Sequence, residues 1–244
     1  MRETSVPALR RGFDILQCFS EDHTELSVKE IADAVRVPLA SSYRIIGELR
    51  AIGVLEPVTG GKFRLGITLA RLGNLSLCGR ELRSVALPVM QDLAENVGET
   101  ALLLIRVGQQ AVCIEHIEGS YPIRPRSFGV GEHVDLWEGA SALALFAFLP
   151  EEERFEILNQ IDYRPEDEKH RGRIAKECES IRRNGWCLTR NQIVIGTAAV
   201  AAPIFRRDSD SVIASLALTG VAERIVNLEA TVMRAASRIG EQTA

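Results

Sequence analysis

Residues 27–65, SVKEIADAVRVPLASSYRIIGELRAIGVLEPVTGGKFRL, place a capped helix, a turn, a second helix and a glycine-tipped hairpin in that order. Ser27 and Glu30 make the Ser-x-x-Glu signature of a capping box, in which a hydroxyl and a carboxylate satisfy each other's free backbone N–H groups at a helix start. Val28, Ile31, Ala32 and Val35 follow at helical spacing. Arg36 and Val37 make the turn, and Pro38 suits a first helical position because the N–H it lacks would be unpaired there anyway. The second helix is expected to bury Ser42, Ile45, Ile46, Leu49 and Ile52, with Gly53 as its left-handed cap. Its other face carries Ala40, Ser41, Tyr43, Arg44, Gly47 and Arg50, small enough and polar enough to lie against base edges and phosphates.

The stretch then turns back on itself. Residues 54–58 read as a strand and 59–61 as a tight turn whose Gly-Gly supplies the positive φ that hairpins need. Residues 62–65 read as the return strand, with Lys62 and Arg64 on one side and Phe63 and Leu65 on the other. This is the order of a winged helix-turn-helix. The candidate DNA contacts are Arg36, Ser41, Ser42, Tyr43, Arg44 and Arg50 from the helices, with Lys62 and Arg64 on the wing. A small packing module without a ligand is the plainer reading of two helices and a hairpin; order and spacing together favour DNA.

Charge distribution supports that preference. The chain of 244 residues has a formal net charge of −4, yet residues 36–64 hold five cations against two carboxylates, a local +3. The remainder therefore carries −7. A basic patch on an acidic protein suits reversible, specific DNA binding better than nonspecific coating. The five cysteines are odd in number and form no Cys-x-x-Cys pair, which speaks against a disulfide framework or a structural zinc site. Buried thiols are expected instead. No signal-like N-terminus is visible. The longest uncharged runs are shorter than the roughly 20 residues a bilayer span needs, so a cytoplasmic protein without membrane contact is expected.

Outward from the decisive stretch, residues 7–19 read as an amphipathic helix, with Leu9, Phe13, Leu16 and Phe19 recurring at helical spacing. Residues 68–82 read as a helix interrupted by Gly73 and Gly79, a linker whose leucine edge either packs on the first domain or meets a partner subunit. From Arg83 the texture changes: a helix ending at Gly98, strand-like runs at 100–107, 111–117 and 123–127, an apolar helix at 140–149, helices from 151 and 174, strands at 193–205 and 212–218, and a last helix at 222–239. The expected fold class is α+β, with a central sheet flanked by helices and a ligand cavity between sheet and loops. The boundaries read as 1–66 for the DNA-binding domain, 67–82 for the linker helix and 83–244 for the remainder.

These residues resemble the IclR family of bacterial transcriptional regulators over nearly the whole chain. The likeness runs from Val37-Pro38 through Arg44-Ile45-Ile46 to Gly53-Val54-Leu55, and on through Gly61-Lys62-Phe63-Arg64-Leu65-Gly66. It resumes at Gly185-Trp186, continues from Gly196 to Ala201-Ala202-Pro203-Ile204-Phe205, and closes with Leu216 to Gly220. The resemblance implies a winged helix, a linker helix and a GAF-like effector domain with an antiparallel sheet. It implies homodimers, commonly paired as dimers of dimers, that bind double-stranded operator DNA, act as repressors of catabolic operons and respond to a small metabolite. It also implies effector-lining positions at Gly139, Ala140, Ser141, Thr189, Ala199, Ala217 and Thr219, with Phe128 and Trp137 as aromatic walls. Three departures stand out. Leu39 and Ala40 replace a basic residue followed by Ser or Thr, Ala142-Leu143 replaces Gly-Lys, and Gln192 stands where an acidic residue is common. The two alanines at 199 and 217 make the expected pocket apolar, suited to an aromatic or otherwise apolar small acid, amide or hydrazide-like compound.

An enzyme would need converging groups, and the sequence offers none. His23, His116, His133 and His170 are scattered and no His-Glu-x-x-His occurs. Cys113 and His116 lie three apart in a strand-like run and should face opposite ways. Gly129-Val-Gly131 lacks the third glycine of a dinucleotide loop. Glu151-Glu152-Glu153 is a helix start rather than an acid–base pair, and Asp135, Asp208 and Asp210 read as solvated. No catalytic residue, metal or cofactor is therefore expected. A DNA-binding architectural protein without an effector is the other competing class, separable by whether a ligand stabilises the C-terminal domain.

Overall fold

Pro7 opens the first helix of the computed structural model, which describes residues 6–20, 22–78, 81–123, 128–159 and 167–243. The chain divides into two compact units, Met1–Gly79 and Arg80–Ala244.

In the first unit, α1 (Pro7–Leu16) is followed by β1 (Leu26–Ser27), α2 (Val28–Val35) and α3 (Leu39–Ala51). Then come β2 (Leu55–Pro57), a 3-10 turn (Thr59–Gly61), β3 (Lys62–Leu65) and α4 (Ile67–Cys78). The capping box forms as read: Glu30 N–H donates to Ser27 Oγ at 3.3 Å, and Ser27 N–H donates to Glu30 Oε2 at 2.7 Å. Arg36 ends α2 in the left-handed region at φ 53°. The wing is an antiparallel sheet in the order β1-β3-β2, with Leu26 opposite Phe63 and Glu56 opposite Arg64. Ile15, Val28, Ile31, Ile46 and Leu55 make the core, with Phe63 packed on it from the wing. Helix α1 stops at Leu16 rather than at Phe19. Ile52, expected in the buried stripe, is 62% exposed, because the chain leaves the helix there for the turn at Gly53 (φ 72°).

The second unit opens with α5 (Glu81–Val97), so Glu81 and Leu82 belong to it and not to the expected linker helix. Strands β4 (Thr100–Val107), β5 (Gln110–Ile117) and β6 (His133–Asp135) precede α6 (Gly139–Phe146), α7 (Glu151–Asn159) and α8 (Asp167–Asn184). Strands β7 (Cys187–Arg190), β8 (Thr197–Phe205) and β9 (Val212–Val221) lead to α9 (Glu229–Glu241). The six strands form one antiparallel sheet in the order β6-β5-β4-β9-β8-β7. Helix α6, buried along its whole length, packs on the sheet face that carries Leu102, Leu104, Ala201 and Ala217. Helices α5 and α9 pack together against the sheet, and strand alternation gives them the opposite face.

The differences from the sequence reading are two short strands and several element ends. Short β6 and β7 were not read as strands. Strand β8 starts at Thr197 rather than 193, because Asn191 (φ 56°) and Gly196 (φ 85°) fold the intervening residues into a loop. Helix α9 starts at Glu229 rather than 222, after a turn that buries Ile225. The strand expected at 123–127 falls largely outside the described residues. Among the described residues, no helix is long and apolar enough to cross a membrane.

Candidate functional site

Helix α3 presents Leu39, Ala40, Tyr43, Arg44, Gly47, Glu48, Arg50 and Ala51 to solvent, and Arg36 is exposed beside it. Ser41 is half-buried. Ser42 is a correction: it is fully buried and its Oγ donates to Pro38 O at 3.4 Å, so it faces the core one helical turn from the presented surface and has no path to DNA. An added Cβ at Gly47 would meet nothing within 4 Å, so the middle of the presented face is bare and can approach a surface closely.

On the wing, Lys62 is half-buried and Arg64 is engaged. Arg64 Nη2 lies 3.1 Å from Glu56 Oε2, and its Nε lies 3.3 Å from the same oxygen. The other oxygen of Glu56 accepts the Ile67 N–H at 3.1 Å. That amide first, and the Arg64 guanidinium second, hold the Glu56 carboxyl below its ordinary value. Glu56 thus ties the wing to the first residue of α4, a role its sequence position does not suggest.

The second unit holds a narrow cavity of about 50 Å³, partly open to solvent, at the N-terminal end of α6. Its apolar walls come from Leu102, Phe128, Val134, Ile193, Val194 and Ala199, and its polar groups from Glu138, Ser141, Thr189, Asn191, Gln192, Thr197 and Thr219. The end of α6 has no side-chain cap, since Glu138 supplies none. Gly139 sits at φ 76°, and its N–H donates to Gln192 Oε1 at 3.2 Å. Gln192 thus takes one of the first-turn N–H groups, and those left over carry partial positive charge that favours anions. Ser141 and Thr189 line the cavity and are 8% and 7% exposed. Thr219 Oγ1 donates to Ala198 O at 3.3 Å. The loop at the mouth is held by its own bonds: Gly196 N–H donates to Asn191 Oδ1 at 2.7 Å, and Thr197 Oγ1 donates to Val194 O at 2.7 Å.

Seven expected lining positions meet at this cavity: Phe128, Gly139, Ala140, Ser141, Thr189, Ala199 and Thr219. Two do not. Ala217 shares the sheet face of Thr219 but lies one pair further along, opposite Ala201 and beneath α6, where it is fully buried in the core. Trp137 packs half-buried against that same core. The mouth loop at Gln192, Ile193 and Val194 was not among the expected lining. Its signal was present in Asn191 and Gly196, residue types that tolerate a left-handed backbone inside what reads as one apolar run.

The thiols are partly as expected. Cys113, Cys178 and Cys187 are buried, whereas Cys18 is half-buried. Burial pushes the Cys113 and Cys187 thiols up to about 12. Among the described residues, no three His, Cys, Asp or Glu side chains gather as metal ligands.

Residues 75–242 match the family model for the C-terminal domain of the bacterial transcriptional regulator IclR, and residues 8–58 match the IclR helix-turn-helix domain. The chain belongs to the IclR family. The HTH-type transcriptional regulator KipR of Bacillus subtilis is 28% identical over 208 residues, covering 82% of this chain and 80% of its own length. The HTH-type transcriptional repressor AllR of Escherichia coli is 28% identical over 222 residues, covering 89% of this chain and 81% of its own. An IclR-family regulator from Brucella abortus has the same fold, with a TM-score of 0.82 at 23% identity over 100% of this chain and 95% of that one. An IclR homologue from Microbacterium hydrocarbonoxydans, solved with 4-hydroxybenzoate, matches with a TM-score of 0.81 at 25% identity over 96% of this chain and 98% of that one. As a member of the family, this chain is a DNA-binding transcriptional regulator and not an enzyme.

Proposed function

We propose that this IclR-family chain is a repressor that reads its operator with α3 and the wing, and releases it when a small aromatic carboxylate fills the cavity at the end of α6. The cavity carries the proposal. Its apolar walls suit a ring, and the α6 N-terminus with the Ser141 and Thr189 hydroxyls beside it suits a carboxylate. The 4-hydroxybenzoate held by the Microbacterium homologue is of this class. Ligand-free metabolite panels test it by calorimetry on the full chain. A benzoate-class acid should bind more tightly than the matching benzamide, and Ser141→Ala should weaken the acid by about 1 kcal/mol. Equal binding of acid and amide, or none by either, overturns the assignment.

The reader is proposed to be a homodimer. Val6, Leu9 and Phe13 stand 59%, 69% and 63% exposed along one side of α1, and Ile67 and Leu72 stand exposed on α4. Apolar stripes of this kind on a water-facing helix call for a partner, and two reading heads match the symmetry of a palindromic site. Sedimentation of Leu9→Glu/Phe13→Glu should give a monomer with much weakened operator binding; an unchanged dimer places the interface elsewhere.

A further inference from the structure

Helix α3 opens its presented face with Leu39 and Ala40, whose side chains offer no hydrogen-bond donor. At 100° per residue its presented face has three strips. Ala40, Gly47 and Ala51 form a bare middle. Arg44 and Glu48 flank it on one side, and Leu39, Tyr43 and Arg50 flank it on the other. Leu39 is 46% and Tyr43 60% exposed, one helical turn apart, and neither is among the residues that build the core of this unit. Together they make a small apolar edge on the presented face. The first turns of a recognition helix are also the ones that reach base edges. In the major groove the one apolar feature a base pair offers is the C5-methyl of thymine.

We propose that Leu39 and Tyr43, with the Ala40 methyl beside them, form an apolar clamp that selects thymine by its C5-methyl. Arg44 reads a guanine on the other side of the same face. The proposal rests on the reading of α3 as the operator-reading helix. The bare strip of Ala40 and Gly47 lets the helix backbone settle deep enough for the short Ala40 side chain to touch a methyl group. Each half-site then carries a thymine within one or two base pairs of a guanine, because Leu39, Tyr43 and Arg44 span about one helical turn, 5.4 Å, against a base-pair rise of about 3.4 Å.

The test uses the full-length protein and a duplex selected from a random library. Each enriched thymine is replaced in turn by deoxyuridine, which removes the methyl and leaves pairing and hydrogen-bonding edges unchanged. One position per half-site should weaken binding about four-fold, the factor for one buried methyl-sized group. In Leu39→Ser the same replacement should have little effect. The uridine comparison on the wild-type protein requires no variant to fold. Uridine binding as tightly as thymine at every position overturns the clamp and leaves α3 as the reader. A library that enriches no sequence at all overturns both.

Discussion

Arg44 and Tyr43 leave α3 as neighbours, whereas Ser42, one residue earlier, turns into the core. That contrast separates reading from packing at the scale of single side chains. Arg44→Ala should lower discrimination between operator and random duplex by about 1–3 kcal/mol, the worth of one good base contact. Ser42→Ala should leave operator affinity unchanged. A mobility-shift titration of both variants checks the pair, and an unaltered Arg44→Ala sinks the assignment. The periodicity put Ser42 in the buried stripe correctly; its hydroxyl alone suggested DNA, and a hydroxyl satisfied by Pro38 O has no use for a phosphate. Ala217 teaches the same lesson. Strand alternation gives the face of a residue, but depth along the strand decides whether it meets the cavity or the underside of α6, and no sequence period encodes that depth.

At the scale of elements, the capping box and the wing were legible because their signals are local. Ser27 and Glu30 find each other three residues apart, and Gly60 and Gly61 adopt φ of 77° and 72° as the turn demands. Strand β7 was not legible, because four residues of mixed polarity carry no period. The arginine proposed to meet DNA from the wing is already paired with Glu56, but Arg64 is exposed and Glu56 only half-buried. Such surface pairs are worth about 0–1 kcal/mol, so a phosphate can take the guanidinium over. Replacing Lys62 and Arg64 by alanine should weaken all duplexes alike and flatten the salt dependence of log K by about one unit per lost contact. A loss confined to the selected operator contradicts this, because it means that the wing reads bases. Two carboxylates of this unit also set its response to acid. Glu30 is held below its ordinary value by the Ser27 backbone N–H first and the Ser27 hydroxyl second, and Glu56 by the Ile67 N–H. A depressed folded-state value means stability that is whole above the ordinary carboxylate range, about pH 4.3, and lost as pH falls through the folded-state value. Chemical denaturation between pH 7 and 3 should therefore show a smaller acid-side loss in Glu30→Gln than in the wild type. Equal losses remove Glu30 from the account.

For the whole molecule, the sequence carried the order of the two units and the class of the second, since apolar runs between turn signals give strands and helices whatever their final neighbours. It did not carry the mouth of the cavity. Residues 193–205 read as one strand, and only the left-handed Asn191 and Gly196 break it into a loop over the site and a strand beneath it. The loop is joined to α6 by the Gln192–Gly139 hydrogen bond, so a ligand at the helix end meets a structure that has two parts to move. The central claim is that filling this cavity controls the grip on DNA. It is tested most directly by fluorescence anisotropy of the full-length protein on its selected operator, titrated with benzoate-class acids, for the wild type and for Ala199→Phe. Ala199 lines the cavity and faces Thr189 and Thr219 across the sheet, so phenylalanine there occupies the ligand's space. The wild type should release the duplex as the acid is added, and Ala199→Phe should bind the duplex normally yet show no response to acid at concentrations that empty the wild type. Release of Ala199→Phe at the wild-type concentration would contradict the account.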